Sequence, residues 1–246
     1  SPNGPVAFNV STQSLVHILD TTTNLDTGLT INLHKAVALQ PEGPRKLFLA
    51  VPWAIAFKNN QNEGYVVSAA SNVLVKITAD PTTGALTVIN NPLDGSVLEI
   101  PVGRNPRGIV INNADTRAYV MNYISKDVSV IDLTASPELE LARVSSADLP
   151  AVGSEGEKFL LGNELFNSSR GEFDEGVSER LSNEGWQACA SCHPDGLTDG
   201  VVWAFASGPR KTVPLNGTFS LTNQTGDQRI LNYSAVFDEV EDLSLI

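Results

Sequence analysis

With 28 Asp and Glu against 16 Lys and Arg, this 246-residue chain carries a formal charge of −12. That surplus argues against a nucleic-acid partner or an anionic membrane surface, and favours an exported protein or one that docks a basic redox partner. Apolar residues at 41% and charged residues at 18% fit a folded, soluble chain, and no apolar run approaches the ~20 residues that a bilayer span needs. The length allows one large domain or two ordinary ones. The chain begins at Ser1 with neither Met nor leader, so a processed product or a fragment is expected.

Residues 1–144 read as all-β: short alternating apolar runs separated by Asn, Asp, Gly and Pro turns. An internal repeat lies within them. Val51-Pro-Trp-Ala-Ile-Ala-Phe and Gly64-Tyr-Val-Val-Ser recur 54 residues later as Asn105-Pro-Arg-Gly-Ile-Val-Ile and Ala118-Tyr-Val-Met-Asn. Each copy leads into another strand, Asn72–Ile77 in one and Asp127–Asp132 in the other. Val16-His-Ile-Leu-Asp20 looks like the end of an earlier copy. Repeats of this length with several short strands point to propeller blades. The last copy, Tyr119 to Asp132, resembles the repeat of the YVTN family of β-propellers, with Met121 where that family has Thr. Two blades and a fragment cannot close a ring of about four to eight. An additional chain or segment completing the propeller is therefore expected.

Residues 135–153 form a linker. Ser154-Glu-Gly-Glu157 then reads as a capping box opening a helix, with Phe159, Leu160, Leu161, Leu165 and Phe166 on its apolar face. A helical domain over 145–246 follows. Its centre is Cys189-Ala-Ser-Cys192-His193, the attachment signature of a c-type haem: two thiols add to the haem vinyl groups and the next residue gives iron an axial nitrogen. Two cysteines three apart project to one side of a helical turn, so both reach one porphyrin edge. Three other readings compete. Half a zinc site lacks a second Cys pair, and His17 and His34 lie far upstream. A redox dithiol lacks its βαβ context. A disulfide closing so small a loop stabilises little. Covalent haem attachment takes place outside the cytoplasmic membrane, so a periplasmic or extracellular location is expected. Five N-x-[ST] sequons begin at Asn9, Asn167, Asn216, Asn223 and Asn232, relevant only in a source that uses them.

The second half resembles the N-terminal haem domain of the bacterial dihaem cytochrome c peroxidase family, which includes the MauG proteins. The resemblance rests on Gly162-x-x-Leu165-Phe166 with Arg170, Leu181-Ser182, Gly185, Cys189 to His193, Thr198-Asp199-Gly200, Arg210-Lys-Thr212-Val-Pro214-Leu215 and, loosely, Leu231 to Leu243. It spans about residues 156–243. The loop from Arg170 to Leu181 is longer than the family's, the stretch from His193 to Thr198 is shorter, and there is one haem motif where the family has two. The resemblance implies haem-based electron transfer with peroxidase chemistry as a further property, and it places Arg210 at a haem propionate.

The fold class expected is thus mainly β plus small α: a partial propeller of two to three blades, then a helical c-type cytochrome domain. One covalent haem c is expected on Cys189 and Cys192 with His193 as the proximal ligand. Trp186 and Trp203, with Phe205, would wall the porphyrin from water and raise its potential; ordinary core packing is the competing role. Solvated surface charge is the alternative for Arg210 and Lys211. Met121, the only methionine, is a distal-ligand candidate, with core packing favoured. Surface or turn positions are expected for His17 and His34. Asp195 and Asp199 read as turn caps sooner than as calcium ligands. Three functions remain: an exported electron carrier serving a redox partner protein, expected to be another haem domain; a haem peroxidase or MauG-like oxidase; and a propeller-based surface adhesion protein.

Overall fold

The computed structural model describes residues 11–40, 47–59, 61–170, 182–205 and 208–216. The chain divides into two compact units: Gln13–Ala188, and Cys189 onward with the residues up to Thr12. The segment from Leu231 to Leu243, Leu181, and the sequons at Asn9, Asn223 and Asn232 lie outside the described residues.

In the first unit β1 (Leu15–Asp20) and β2 (Leu25–Asn32) form an antiparallel pair. Helix α1 (Leu33–Ala38) follows, its start fixed by the Asn32 side chain accepting from the Lys35 amide at 2.9 Å. The second sheet runs β3 (Pro52–Phe57), β4 (Glu63–Ser68), β5 (Val73–Ala79), β6 (Leu86–Val88), and β7 (Glu99–Pro101) pairs with the start of β5. The third is β8 (Pro106–Ile111), β9 (Arg117–Asn122), β10 (Asp127–Asp132) and β11 (Leu139–Ser145), all antiparallel neighbours.

The sequence repeat is a structural repeat. β8 and β9 stand 54 residues after β3 and β4. Both first strands are bulged at the same place, between Pro52 and Ala54 and between Pro106 and Gly108. The residues that enter them, Val51 and Asn105, both take a left-handed backbone, at φ 56° and 53°.

Alternation along each strand decides which sheet a side chain meets. Val66, Val73, Val75 and Ile77 pack toward Ile31, Leu33, Val37, Phe48 and Leu49 beside the first sheet. The opposite face, Tyr65, Val67 and Leu74, packs on Ala118, Val120 and Ile131 of the third. β4 is buried on both faces, each such side chain contributing roughly 1.5–3 kcal/mol of transfer free energy. The stack is mainly β, with sheets packed face to face as adjacent propeller blades are.

Polar links join the sheets as well. Glu138 accepts from Lys76 Nζ at 2.6 Å and from the Tyr65 hydroxyl at 3.1 Å, while Glu63 accepts from Lys58 at 2.6 Å and lies 3.1 Å from Lys76. A carboxylate ties each reversal from a repeat's third strand into its fourth: Asp20 holds Thr22 and Thr23, Asp80 holds Thr82 and Thr83, and Asp132 holds Thr134. These bonds keep all three carboxyls below their ordinary value.

Helix α2 (Glu155–Asn167) starts where the capping box places it, with the Glu157 amide donating to Ser154 Oγ at 3.2 Å. Its buried face is not the expected one. Phe159 is 78% exposed and Leu161 and Leu165 are also exposed, while Glu164 and Asn167 are buried. The reason is a pair of arginines, one just before β8 and one in it: Arg104 donates to Glu164 at 2.9 Å and Arg107 to Asn167 at 3.4 Å.

The unit continues past the 144/145 boundary drawn from sequence. Arg170, counted above with the haem segment, grips Glu99 at 2.6 and 3.1 Å and donates to the carbonyls of Leu47 and Phe48 at 2.9 and 2.7 Å. The Phe48 amide donates to the Glu184 carbonyl at 2.8 Å.

The second unit contains α3 (Cys189–Cys192), a 3₁₀ turn at Pro194–Gly196, and the hairpin of β12 (Val202–Phe205) with β13 (Gly208–Lys211). A helical cytochrome domain is therefore not what the described residues after Cys189 display. Val201-Val202-Trp203-Ala204-Phe205 has the β-branched and aromatic content of a strand, and Pro209 removes a helical donor.

Candidate functional site

Cys189 and Cys192 occupy one helical turn, which the His193 amide extends by donating to the Cys189 carbonyl at 3.0 Å. Sequence spacing thus becomes geometry: both thiols belong to one short turn, and the backbone leaves the helical region at the next residue, His193, at φ −117° and ψ 62°. Nδ1 of His193 lies 3.3 Å from the Leu197 carbonyl oxygen. A carbonyl only accepts, so in this contact Nδ1 is the donor. A backbone acceptor behind a ligating imidazole is the usual way its tautomer and orientation are held. No side-chain pattern announces such an acceptor, which is why the Leu197 carbonyl escaped the sequence reading.

The 3₁₀ turn is fastened to its surroundings by backbone. The Asp199 amide donates to the Cys192 carbonyl at 3.1 Å, and the Leu215 amide to the Gly196 carbonyl at 2.7 Å. Asp195 stands in the left-handed region at φ 51°. Asp199 accepts from the Val201 amide at 2.9 Å and from the Trp203 indole at 3.0 Å. The Asp199 carboxylate thus caps the turn that leads into Val201. Burial pushes the Cys192 thiol up to about 11, with the Asp199 carboxylate and Cys189 adding to the effect. Cys189 is exposed and Cys192 half-buried. At neutral pH Cys192 is therefore a protonated thiol.

The hairpin brings two more predicted residues together. Trp203 and Arg210 are direct cross-strand partners, so they share one face, and both are half-buried.

Other candidates lie in the first unit. Trp186 packs against His34 and Phe48 with ring centroids 4.2 and 4.3 Å apart, the core role set against the porphyrin wall. His34 is buried, not at the surface: Nε2 lies 2.8 Å from the Leu49 carbonyl and 3.2 Å from Ser14 Oγ. His17 is exposed on β1, 3.0 Å from Thr30 Oγ1. Met121 is 44% exposed on the outer face of β9, not in the core where packing was favoured. Among the described residues no three His, Cys, Asp or Glu side chains converge as a metal site would require. No helix among them is long and apolar enough to cross a membrane.

No protein-family model and no curated protein matches this sequence. Solved structures overlap it in part. A functionally unknown protein from Desulfotomaculum acetoxidans shares 18% identity at a TM-score of 0.39, over 55% of this chain and 36% of that one. A Lactobacillus plantarum protein shares 20% at 0.38, over 59% and 40%. The periplasmic gluconolactonase PpgL of Pseudomonas aeruginosa shares 13% at 0.38, over 58% and 37%. The chain spans well under half the length of these structures.

Proposed function

We propose that this chain is an exported haem c protein working in electron transfer, its stacked sheets serving as scaffold and its single haem held at Cys189, Cys192 and His193. The observation that carries the reading is the single helical turn that holds both thiols, with His193 directly after it and its Nδ1 at 3.3 Å from the Leu197 carbonyl oxygen. The donor set fits the group. Cys189 and Cys192 would hold the group by two thioether links to its vinyl substituents, each formed by addition of an S–H across a C=C with no oxidant consumed, and His193 would give the iron an imidazole nitrogen. Trp203, its indole donating to Asp199, would wall the porphyrin from water, and Arg210 on the same hairpin face would balance propionate charge. Bound there, haem iron supplies one-electron exchange. The redox partner is a protein with a basic docking surface, suited to the −12 charge of this chain.

The test is a pyridine haemochrome spectrum and an intact mass on protein matured with a c-type attachment system. The expected result is a thioether-linked haem spectrum and a mass increase of one haem, both lost in the Cys189→Ser, Cys192→Ser double variant. A blank spectrum with the mass of the bare polypeptide overturns the reading.

A further inference from the structure

The sheets of the first unit stack through one kind of contact, and the two outer surfaces of the stack are its unmatched halves. Between the second and third sheets, Tyr65, Val67 and Leu74 meet Ala118, Val120 and Ile131, all at 0% exposure. One repeat on, Tyr119, Met121 and Val128 take the places of Tyr65, Val67 and Leu74. Here Tyr119 and Met121 are 40% and 44% exposed, with Val110 at 62% and Val144 at 56% beside them. The pairing of Val110 with Tyr119, and of Val144 with Val128, puts these residues on one face.

At the other end, β1 ends on the same Asp-to-Thr reversal as β10. That alignment gives Leu15, His17 and Leu19 the places of Asp127, Ser129 and Ile131, the side that receives the preceding sheet. Val16, in alternation, turns toward the core of the stack. Leu19 is 65% exposed and Leu15 is 37%. One chain thus carries the giving half of the contact on β8–β11 and the receiving half on β1–β2.

We propose that a second copy of this chain docks head to tail, the outer face of its β1–β2 pair covering the β8–β11 face of the first. The contact repeats the interface already built between the second and third sheets. Being heterologous, it closes into a ring or extends, according to the rotation at each step. It does not depend on the haem reading.

Sedimentation velocity on the purified protein across a concentration series tests it. The expected result is concentration-dependent association, lost in Val110→Glu, Tyr119→Glu and lost equally in Leu15→Glu, Leu19→Glu, with circular dichroism unchanged in both. Mixed together, the two double variants regain a dimer that grows no further, because each keeps one intact half. A wild-type monomer at every concentration overturns the proposal. So does association insensitive to either variant, or a mixture that fails to pair.

Discussion

Arg170 is nearly enclosed, and its guanidinium serves four acceptors: both carboxylate oxygens of Glu99 and the carbonyls of Leu47 and Phe48. Its side chain is 9% exposed and that of Glu99 is 26%. Removing one partner of a buried pair strands the other, at a cost of about 3–5 kcal/mol. Arg170→Ala is expected to lose about 3 kcal/mol in urea unfolding of the apoprotein. Arg170→Lys recovers little of it, since an ammonium cannot reproduce the planar fork. An unchanged midpoint in the alanine variant would contradict this account. The same residue shows what a single sequence hides. Its neighbours in the chain belong to a haem-segment resemblance, but its partners lie more than 70 residues upstream, in the sheets. His34 is a similar case: nothing beside it in sequence foretells Phe48 and Trp186.

Among the elements, β3 and β8 were legible because strict alternation and near-identical residues recur at a fixed interval. Their shared bulge was not, since a bulge leaves no residue signature of its own. It exposes a mismatch between the copies. At the left-handed entry position the later repeat has Asn105, a residue that tolerates it, while the earlier has β-branched Val51. Such a residue stores on the order of 1–3 kcal/mol of backbone strain. Val51→Asn is therefore expected to raise stability by about 1 kcal/mol once the lost apolar contact with Ala50 and Ala70 is set against the relief. Thermal unfolding checks the sign, and a lower midpoint would sink the argument. Helix α2 teaches the reverse lesson. Its cap was readable from four residues, but its buried side was chosen by Arg104 and Arg107, about 60 residues away.

For the molecule as a whole, the charged ladder between the second and third sheets sets the response to pH. Burial works to raise the Glu63 carboxyl, yet hydrogen bonds from Lys58 and Lys76 outweigh it and hold it below its ordinary 4.5. That stabilisation is complete above pH 4.5 and is lost as the pH falls through the lower folded value. Lys76 has the opposite sense: burial lowers it, but Glu138 and Glu63 bring it above 10.5. Burial and the Glu138 carboxylate push the Tyr65 phenol upward from 10.0. Both contributions are present below those ordinary values and disappear as the pH rises past them. The unfolding temperature is expected to form a plateau between the two limbs. Glu63→Gln should shrink the acid limb and leave the turn carboxylates of Asp20, Asp80 and Asp132 to account for the rest. A profile identical to wild type would show that the ladder is not responsible.

The stacking of the sheets followed from the repeat, whereas the short first sheet was seen in sequence only as a fragment. The spacing from Asp20 to Asp80 is longer than that from Asp80 to Asp132, so a fixed interval misses it. What stays constant is the acid at the strand's end and the hydroxyl just beyond it. Because that side-chain latch, and not loop length, closes each chain reversal, extra residues can be spliced in behind it without disturbing how the strands register. The outer margin of this architecture is consequently its most permissive place for evolutionary growth or for engineered insertion of a peptide tag.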